Sequence, residues 1–313
     1  MSKSKPQSLQ AVLSNRKDLA GWPKWLRDEQ SEAAESAREF LAYCEQCLTL
    51  SEKKRWLKKI SSVGSEQIRD KTFEIVAHQF FKQFGFECKY EPKIEGKTPD
   101  ILCIINKKEY IVDTFMVSSP KKTLQDCGDG SGQSIDTDDP AESRSKKISD
   151  KISEKVENYK NLSNPILLVV GFKDSRILSY ESVEQALYGV TCGEFSEDDA
   201  YPSRFCFERR LGRVLLSPCL TSQKRQLSAV LAIDWFFSEN QTSRGYRFGC
   251  VVLHHFDPKD PLPNQIFAPF QEVCWKKVGQ GAWALNLTGD RQMVAKFSNN
   301  SFDFGRYSSD DPY

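Results

Sequence analysis

Two aspartates, Asp100 and Asp113, interrupt apolar runs in the stretch KTPDILCIINKKEYIVDTFMV (residues 97–117). A carboxylate set beside a core is costly unless it is paired or metal-bound, so both positions suggest chemistry. Glu74, in an apolar helical pattern upstream, is a third acid of the same kind. Anionic oxygens converging on one or two divalent ions, with a cation near the charge that builds on phosphate, would make a phosphodiester-cleaving centre. Mg²⁺ or Mn²⁺ is the ion such oxygen ligands would hold. The cation would come from a lysine, with Lys155, Lys151 and Lys97 as the options.

The elements that must position these groups follow from periodicity. SEQIRDKTFEIVAHQFFKQFGF reads as a helix capped by Ser65 and ended by Gly85, with Phe73, Ala77, Phe80 and Phe84 on one stripe. Glu74 lies about 100° from Phe73, at the border of that stripe. ECKYEPKI reads as a strand. DILCII and EYIVDTFMV are two more, joined by the short polar turn NKK. The connection is too short for a parallel crossover, so a hairpin is expected, with Asp100 and Asp113 meeting across the ladder. KKISDKISEKVENYKNL reads as a second amphipathic helix over residues 148–162, with Ile148, Ile152, Val156 and Tyr159 as its apolar stripe. Lys155 falls about 60° from Ile152, at the margin of that stripe, whereas Lys151 falls about 100° away. PILLVVGF is a continuous apolar run suited to a strand covered on both faces. The expected fold class is α/β: a mixed central sheet flanked by helices.

The pattern FEIVAHQFFKQFGFECKYEPKIEGKTPDILCIINKKEYIVDTF resembles the core of the PD-(D/E)XK, or restriction-endonuclease-like, nuclease superfamily. The likeness covers residues 65–173, about a third of the chain. Its motifs are short, and their order and spacing carry it. It implies that Glu74 matches the helix glutamate, Asp100 the Pro-Asp aspartate and Asp113 the second acidic position. These three would then hold Mg²⁺ or Mn²⁺ and would be catalytic together with a lysine. The departure is Phe115, which stands at the lysine position and cannot stabilise an anion. Three readings compete: a lysine relocated from elsewhere, with Lys155 the chosen source; a metal site that cuts slowly or uses another group; and a silent fold kept for binding. The implied function is Mg²⁺-dependent hydrolysis of DNA in restriction or antiviral host defence. The alternative is an inactive nuclease-like protein that binds nucleic acid or scaffolds a protein assembly. A plainer option is an interaction protein whose strand aspartates are structural.

Around this core, residues 1–64 are expected to form a helical N-terminal extension, with 1–25 loosely held. Residues 174–313 are expected to form a C-terminal α/β extension, either distinct from the core or continuous with its sheet. Within the latter, SYESVEQALYGV reads as a helix and YRFGCVVLHHF as a strand. KRQLSAVLAIDWFFSE fits either, and GAWALNLTGDRQMVAKFS suggests a terminal hairpin. Residues 118–147, rich in Ser, Gly and Asp, read as a long mobile loop whose acids Asp136, Asp138 and Asp139 are solvated.

The 313 residues carry 44 basic and 43 acidic side chains, and this near-balance neither supports nor excludes a nucleic-acid partner. Nucleic acid, DNA in particular, is the expected partner; a homo-oligomer or protein partner stays open. With 39% hydrophobic residues, no run long enough to span a bilayer and no apolar centre near the start, a soluble cytoplasmic protein with reduced thiols is expected. Cys44 and Cys47 have a metal-like spacing but no second pair. His254, His255 and Asp257 also invite a metal reading, but neighbouring strand residues point to opposite faces. Arg209, Arg210 and Arg213, and Arg144, Lys146 and Lys147, are basic clusters that read as solvated surface, with phosphate contact as the alternative. Trp235, Phe236 and Phe237 read as core.

Overall fold

In the computed structural model of the chain, the residues described are 8–118, 140–173, 180–188, 191–194, 204–207, 224–235, 246–255, 257–277, 283–290, 293–298 and 301–306. Five helices come first: α1 (Leu9–Ser14), α2 (Trp22–Asp28), α3 (Glu32–Gln46), α4 (Leu50–Ser62) and α5 (Ser65–Gln83). Then come β1 (Glu87–Tyr90), β2 (Ile101–Ile105), β3 (Lys108–Val117), α6 (Pro140–Asn158), β4 (Ile166–Phe172), α7 (Tyr180–Tyr188), β5 (Thr191–Glu194) and β6 (Arg204–Phe207). The chain closes with β7 (Leu227–Trp235), β8 (Tyr246–His254), β9 (Gln271–Lys277), β10 (Trp283–Thr288), β11 (Met293–Ser298) and β12 (Ser301–Arg306). Among the described residues, no helix is long and apolar enough to cross a membrane.

The main sheet is mixed, in the order β1-β2-β3-β4-β7-β8-β11-β12. The β3–β4 and β4–β7 pairs are parallel, and β1–β2, β2–β3 and β7–β8 are antiparallel. β8 is shared along its free edge: its first half pairs with β11 and its second half with β9, which carries β10. β5 and β6 form a separate two-stranded sheet. The segment that fitted helix or strand is thus the central strand β7. Its Ala229, Val230, Leu231, Ala232 and Ile233 are buried on both faces, which removes the polar alternation that marks a half-exposed strand. The expected terminal hairpin does not form: β10 pairs with β9, and β11 with β8 and β12. Gly289, at φ +76°, turns the chain against Phe270 instead of folding β10 back on β11.

The sheet parity separates two cores. Tyr110, Val112, Leu167 and Val169 face α5 and the N-terminal helices. Ile111, Val117, Leu168 and Val170 face Ile148, Ile152, Val156 and Tyr159 of α6. α5 buries far more than one stripe, including Ile75, Val76 and Phe81, because α2, α3 and α4 cover its outer side. Residues 8–25, expected to be loose, are pinned by buried Leu9, Val12, Leu13 and Trp22. The Leu9 amide also donates to Glu45 Oε2 at 2.9 Å.

Two further expectations change. Gly64, not Ser65, caps α5, because the Ser65 hydroxyl is engaged with the Ala20 backbone. α6 begins at Pro140, inside the stretch read as loop, and proline is well suited to a first helical turn. Residues 119–139, with the acidic cluster, lie outside the described residues.

A close approach fixes α5 on the sheet. A Cβ at Gly171 of β4 would lie 2.6 Å from Phe73 Cζ, and Phe73 is fully buried. Gly171→Ala should therefore lower stability by about 1–3 kcal/mol through overpacking, read as a drop in the midpoint of denaturant unfolding. An unchanged midpoint would show that Phe73, and with it the α5 turn bearing Glu74, is not clamped there.

Candidate functional site

The hairpin sets the geometry. Asn106 and Lys107 both have positive φ, 49° and 67°, the signature of a two-residue type I′ turn matched to strand twist. The register runs from Ile105 opposite Lys108 to Ile101 opposite Val112. One further step places Asp100, just before β2, across from Asp113. The two carboxyls touch through a side-chain hydrogen bond. Asp100 Oδ2 also accepts from the Thr114 amide at 2.8 Å and its hydroxyl at 2.9 Å.

Asp113 lies on the α6 face and is 3% exposed. Its Oδ2 is 3.0 Å from Lys155 Nζ and accepts from the Tyr159 hydroxyl at 3.1 Å. Lys155 and Tyr159 are four residues apart, one helical turn, so both reach the same oxygen. Lys151 instead pairs with Glu154 at 2.7 Å on the exposed side of α6. Lys97 is exposed, with its backbone bridged to Ile94. Phe115 faces the same side as Asp113 and packs against the apolar cluster beneath α6. Of the three lysines, only Lys155 meets the aspartates.

Glu74 approaches from α5 on the other side of the sheet edge. Its Oε2 accepts from the Tyr90 hydroxyl at 2.6 Å, and Lys71 Nζ lies 2.5 Å from Oε1. Lys59 Nζ lies 3.6 Å from Oε2 and also pairs with Glu91. Tyr90 is held by the capping box of α4: Glu52, capping at Thr49, also accepts the Tyr90 amide at 2.8 Å.

The charges interact. Burial, then the neighbouring Asp100 charge, pushes Asp113 up to about 8. Asp100 moves the other way: burial opposes its ionisation, but the Asp113 hydrogen bond, Lys155 and the Thr114 amide outweigh it. The pair thus shares one proton, with Asp113 the member pushed up and Asp100 the member pushed down. Burial, then Asp100, pushes Glu74 up to about 7. Burial pulls Lys155 down, but Asp113 and Asp100 raise it overall; Lys71 is likewise raised, by Glu74 and Asp100 against burial.

These shifts give stability a pH dependence. Asp113 and Glu74 both titrate above their ordinary values of 3.8 and 4.5. The folded state therefore holds their protons more tightly, and that stabilisation is complete below about pH 4. It is lost as pH rises through about 7 and then about 8. In chelator, the melting temperature should fall from pH 5 to pH 9 by several degrees more than that of Glu74→Gln/Asp113→Asn. Parallel profiles for the two proteins would exclude protonated acids in the native site.

Five contributors were not visible in sequence as site residues: Lys71, Lys59, Tyr90, Thr114 and Tyr159. Lys71 stands one helical turn before Glu74, a spacing that could have signalled it. Lys59 belongs to a basic run of α4, Lys53, Lys54, Arg55, Lys58 and Lys59, whose pattern alone fits either a solvated helix face or a phosphate-contacting one. Tyr159 reads as stripe, and it does pack with the α6 core while its hydroxyl reaches Asp113.

The other metal readings take different forms. Cys44 is fully buried in the core among apolar neighbours. His254 and His255 diverge, as strand alternation demands: His254 Nε2 meets Glu272 Oε2 at 3.2 Å, and His255 Nδ1 accepts the Asp257 amide. His254, Glu272 and Cys274 place ligand atoms within 4.8 Å of one another. Glu272 there accepts the amides of Gln265 at 2.6 Å and Phe267 at 3.4 Å, which accounts for its burial. Arg209, Arg210, Arg213, Phe236 and Phe237 lie outside the described residues, and the side chains of Arg144 and Trp235 are not described.

The fold and the site together define a mixed α/β protein with an acid pair, a third acid and several ammonium groups at one sheet edge. No protein-family model matches the chain, and no curated protein sequence matches it.

Proposed function

We propose that residues 65–173 are a restriction-endonuclease-like core and that the chain is a Mg²⁺- or Mn²⁺-dependent nuclease acting on DNA. The observation that carries this reading is the Asp100–Asp113 contact, with Lys155 Nζ 3.0 Å from Asp113. Two touching carboxyls cannot both ionise without a cation between or beside them. All the donors are hard oxygens, the set that suits Mg²⁺ or Mn²⁺. The order α5, β1, β2, β3, α6, β4, with β3 parallel to β4, agrees with the family the sequence resembles.

Asp100 and Asp113 would hold the cation, and Glu74 would complete the acid set. A divalent ion there supplies Lewis-acid polarisation of the phosphoryl group and eases ionisation of water. The protein's own groups do the rest. Asp113 gives up its shared proton so that the pair can act as ligands. Tyr159 and Thr114 fix the orientation of the two carboxyls. Lys155, reaching in from α6, holds the negative charge that develops on phosphate, the role Phe115 cannot fill. Lys71 and Lys59 keep Glu74 neutralised. A role in restriction or host defence is what the family resemblance implies, and a cytoplasmic location is the expectation drawn from the start of the sequence and its scattered cysteines.

A second reading has its own observation. Every acid already has internal partners: Lys155 and Tyr159 for Asp113, Thr114 for Asp100, and Lys59, Lys71 and Tyr90 for Glu74. A silent protein that binds nucleic acid or scaffolds an assembly would need nothing more. Incubating purified protein with plasmid, linear and single-stranded DNA, with Mg²⁺, Mn²⁺ or chelator, separates the two. Cation-dependent strand breaks are expected. Intact DNA in every lane, together with no thermal shift on adding either cation, would leave only the silent reading.

A further inference from the structure

The cysteines were expected to be separate reduced thiols, yet two of them meet. Cys88 in β1 and Cys103 in β2 are directly opposed in the antiparallel register, and their sulfurs lie 2.8 Å apart. The kind of pairing matters. The Glu91 amide donates to the Asp100 carbonyl at 2.8 Å, so residues 91 and 100 are a hydrogen-bonded pair. Counting back along the register, 90 with 101 is non-hydrogen-bonded, 89 with 102 hydrogen-bonded, and 88 with 103 non-hydrogen-bonded. Non-hydrogen-bonded pairs bring Cα atoms to about 4.5 Å and side chains closest together. That separation falls within the range a disulfide spans, about 4.4–6.8 Å. The site is also reachable from one side: Cys88 is half-buried, whereas Cys103 is fully buried.

We propose that Cys88 and Cys103 form an oxidisable dithiol, closed to a cross-strand disulfide by a peroxide. In the first step the Cys88 thiolate attacks one oxygen of H₂O₂ and the O–O bond breaks, giving a sulfenic acid and a hydroxide, which takes up the proton the Cys88 thiol had lost and leaves as water. In the second, the Cys103 sulfur attacks the Cys88 sulfur, an S–S bond forms, and the S–O bond breaks. The Cys103 proton leaves with the hydroxide as a second water. Two electrons pass from the two sulfurs to one H₂O₂. Little backbone movement is needed, because the strand register already brings the sulfurs to 2.8 Å. The bond would tie the edge strand β1 to β2, two residues after which Tyr90 donates to Glu74 and three residues before which Asp100 meets Asp113. The inference stands on the strand register and is independent of any nuclease activity.

The test uses the full chain. Reduced protein is treated with a few equivalents of H₂O₂, alkylated under denaturing conditions, digested without reductant and mapped by mass spectrometry. One peptide linking Cys88 to Cys103 is expected, lighter by two hydrogens (about 2 Da) than the separate peptides and split by dithiothreitol. The map also separates this bond from any between Cys192 and Cys206, which are backbone partners in the β5–β6 register. Cys88→Ser should abolish the link and leave Cys103 alkylated. Cys103→Ser should leave Cys88 as a sulfenic acid that dimedone traps. Should Cys103→Ser not fold, the Cys88→Ser map alone decides. Recovery of both cysteines alkylated after peroxide treatment, or of Cys88 over-oxidised with Cys103 still a thiol, would overturn the proposal.

Discussion

Replacing Asp113 by asparagine should abolish cation-dependent DNA cleavage, by at least about 10³-fold, while leaving the fold as stable or more so. The two effects have one cause. Asp113 is pushed up to about 8 by burial and by Asp100, so near neutral pH the cation-free protein carries it largely protonated. Asparagine copies the shape of that protonated form and can still accept from Lys155 and Tyr159, which now lie 3.0 and 3.1 Å from Oδ2. It cannot become an anion, so it cannot join Asp100 in holding Mg²⁺. The expected result is wild-type or higher melting temperature in chelator, loss of the thermal shift on adding Mg²⁺, and no strand breaks. Full activity in Asp113→Asn would remove the acid pair from the mechanism. Retained metal shift with lost activity would move the ion elsewhere.

Replacing Lys155 by methionine should cost about 10²–10³-fold in cleavage rate, the loss typical when one charge-stabilising donor is removed. Cation binding by Asp100 and Asp113 should persist, because Lys155 competes with a metal for these oxygens more than it helps to bind one. The thermal shift with Mn²⁺ is therefore expected to stay or grow, while plasmid nicking falls. Methionine keeps most of the stem that covers apolar surface beside Ile152 and Val156, so packing changes little. Lys151→Met, whose parent lysine pairs with Glu154 in solvent, is the matched control and should cut at the wild-type rate. A second lysine placed at Phe115 in the Lys155→Met background should recover part of the lost rate, since that position shares a face with Asp113. Equal activity in Lys155→Met and Lys151→Met would leave the relocated lysine without a role.

The local pieces of this protein were legible in its residues. Asn106-Lys107 between two apolar runs specifies a hairpin, and hairpin register is a short-range property, so Asp100 opposite Asp113 follows from counting. The stripe Ile148, Ile152, Val156 and Tyr159 likewise places Lys155 at the margin of a buried face, because helical geometry depends only on spacing. Strand β7 was not legible, since a run buried on both faces loses the alternation that tells strand from helix. The pairing of β11 with β8 rather than β10 was equally hidden. It depends on which edge of a twisted sheet is open, and no local pattern records that. Lys59 and Tyr90 reach Glu74 only because α4 and β1, separate in sequence, dock on the same end of α5. The sulfurs of Cys88 and Cys103 meet for the same kind of reason: each sits in an ordinary apolar strand, and only the β1–β2 register brings them together. Spacing along one element set what each residue faces; the packing of distant elements decided what it meets there, because that depends on the whole sheet closing at once.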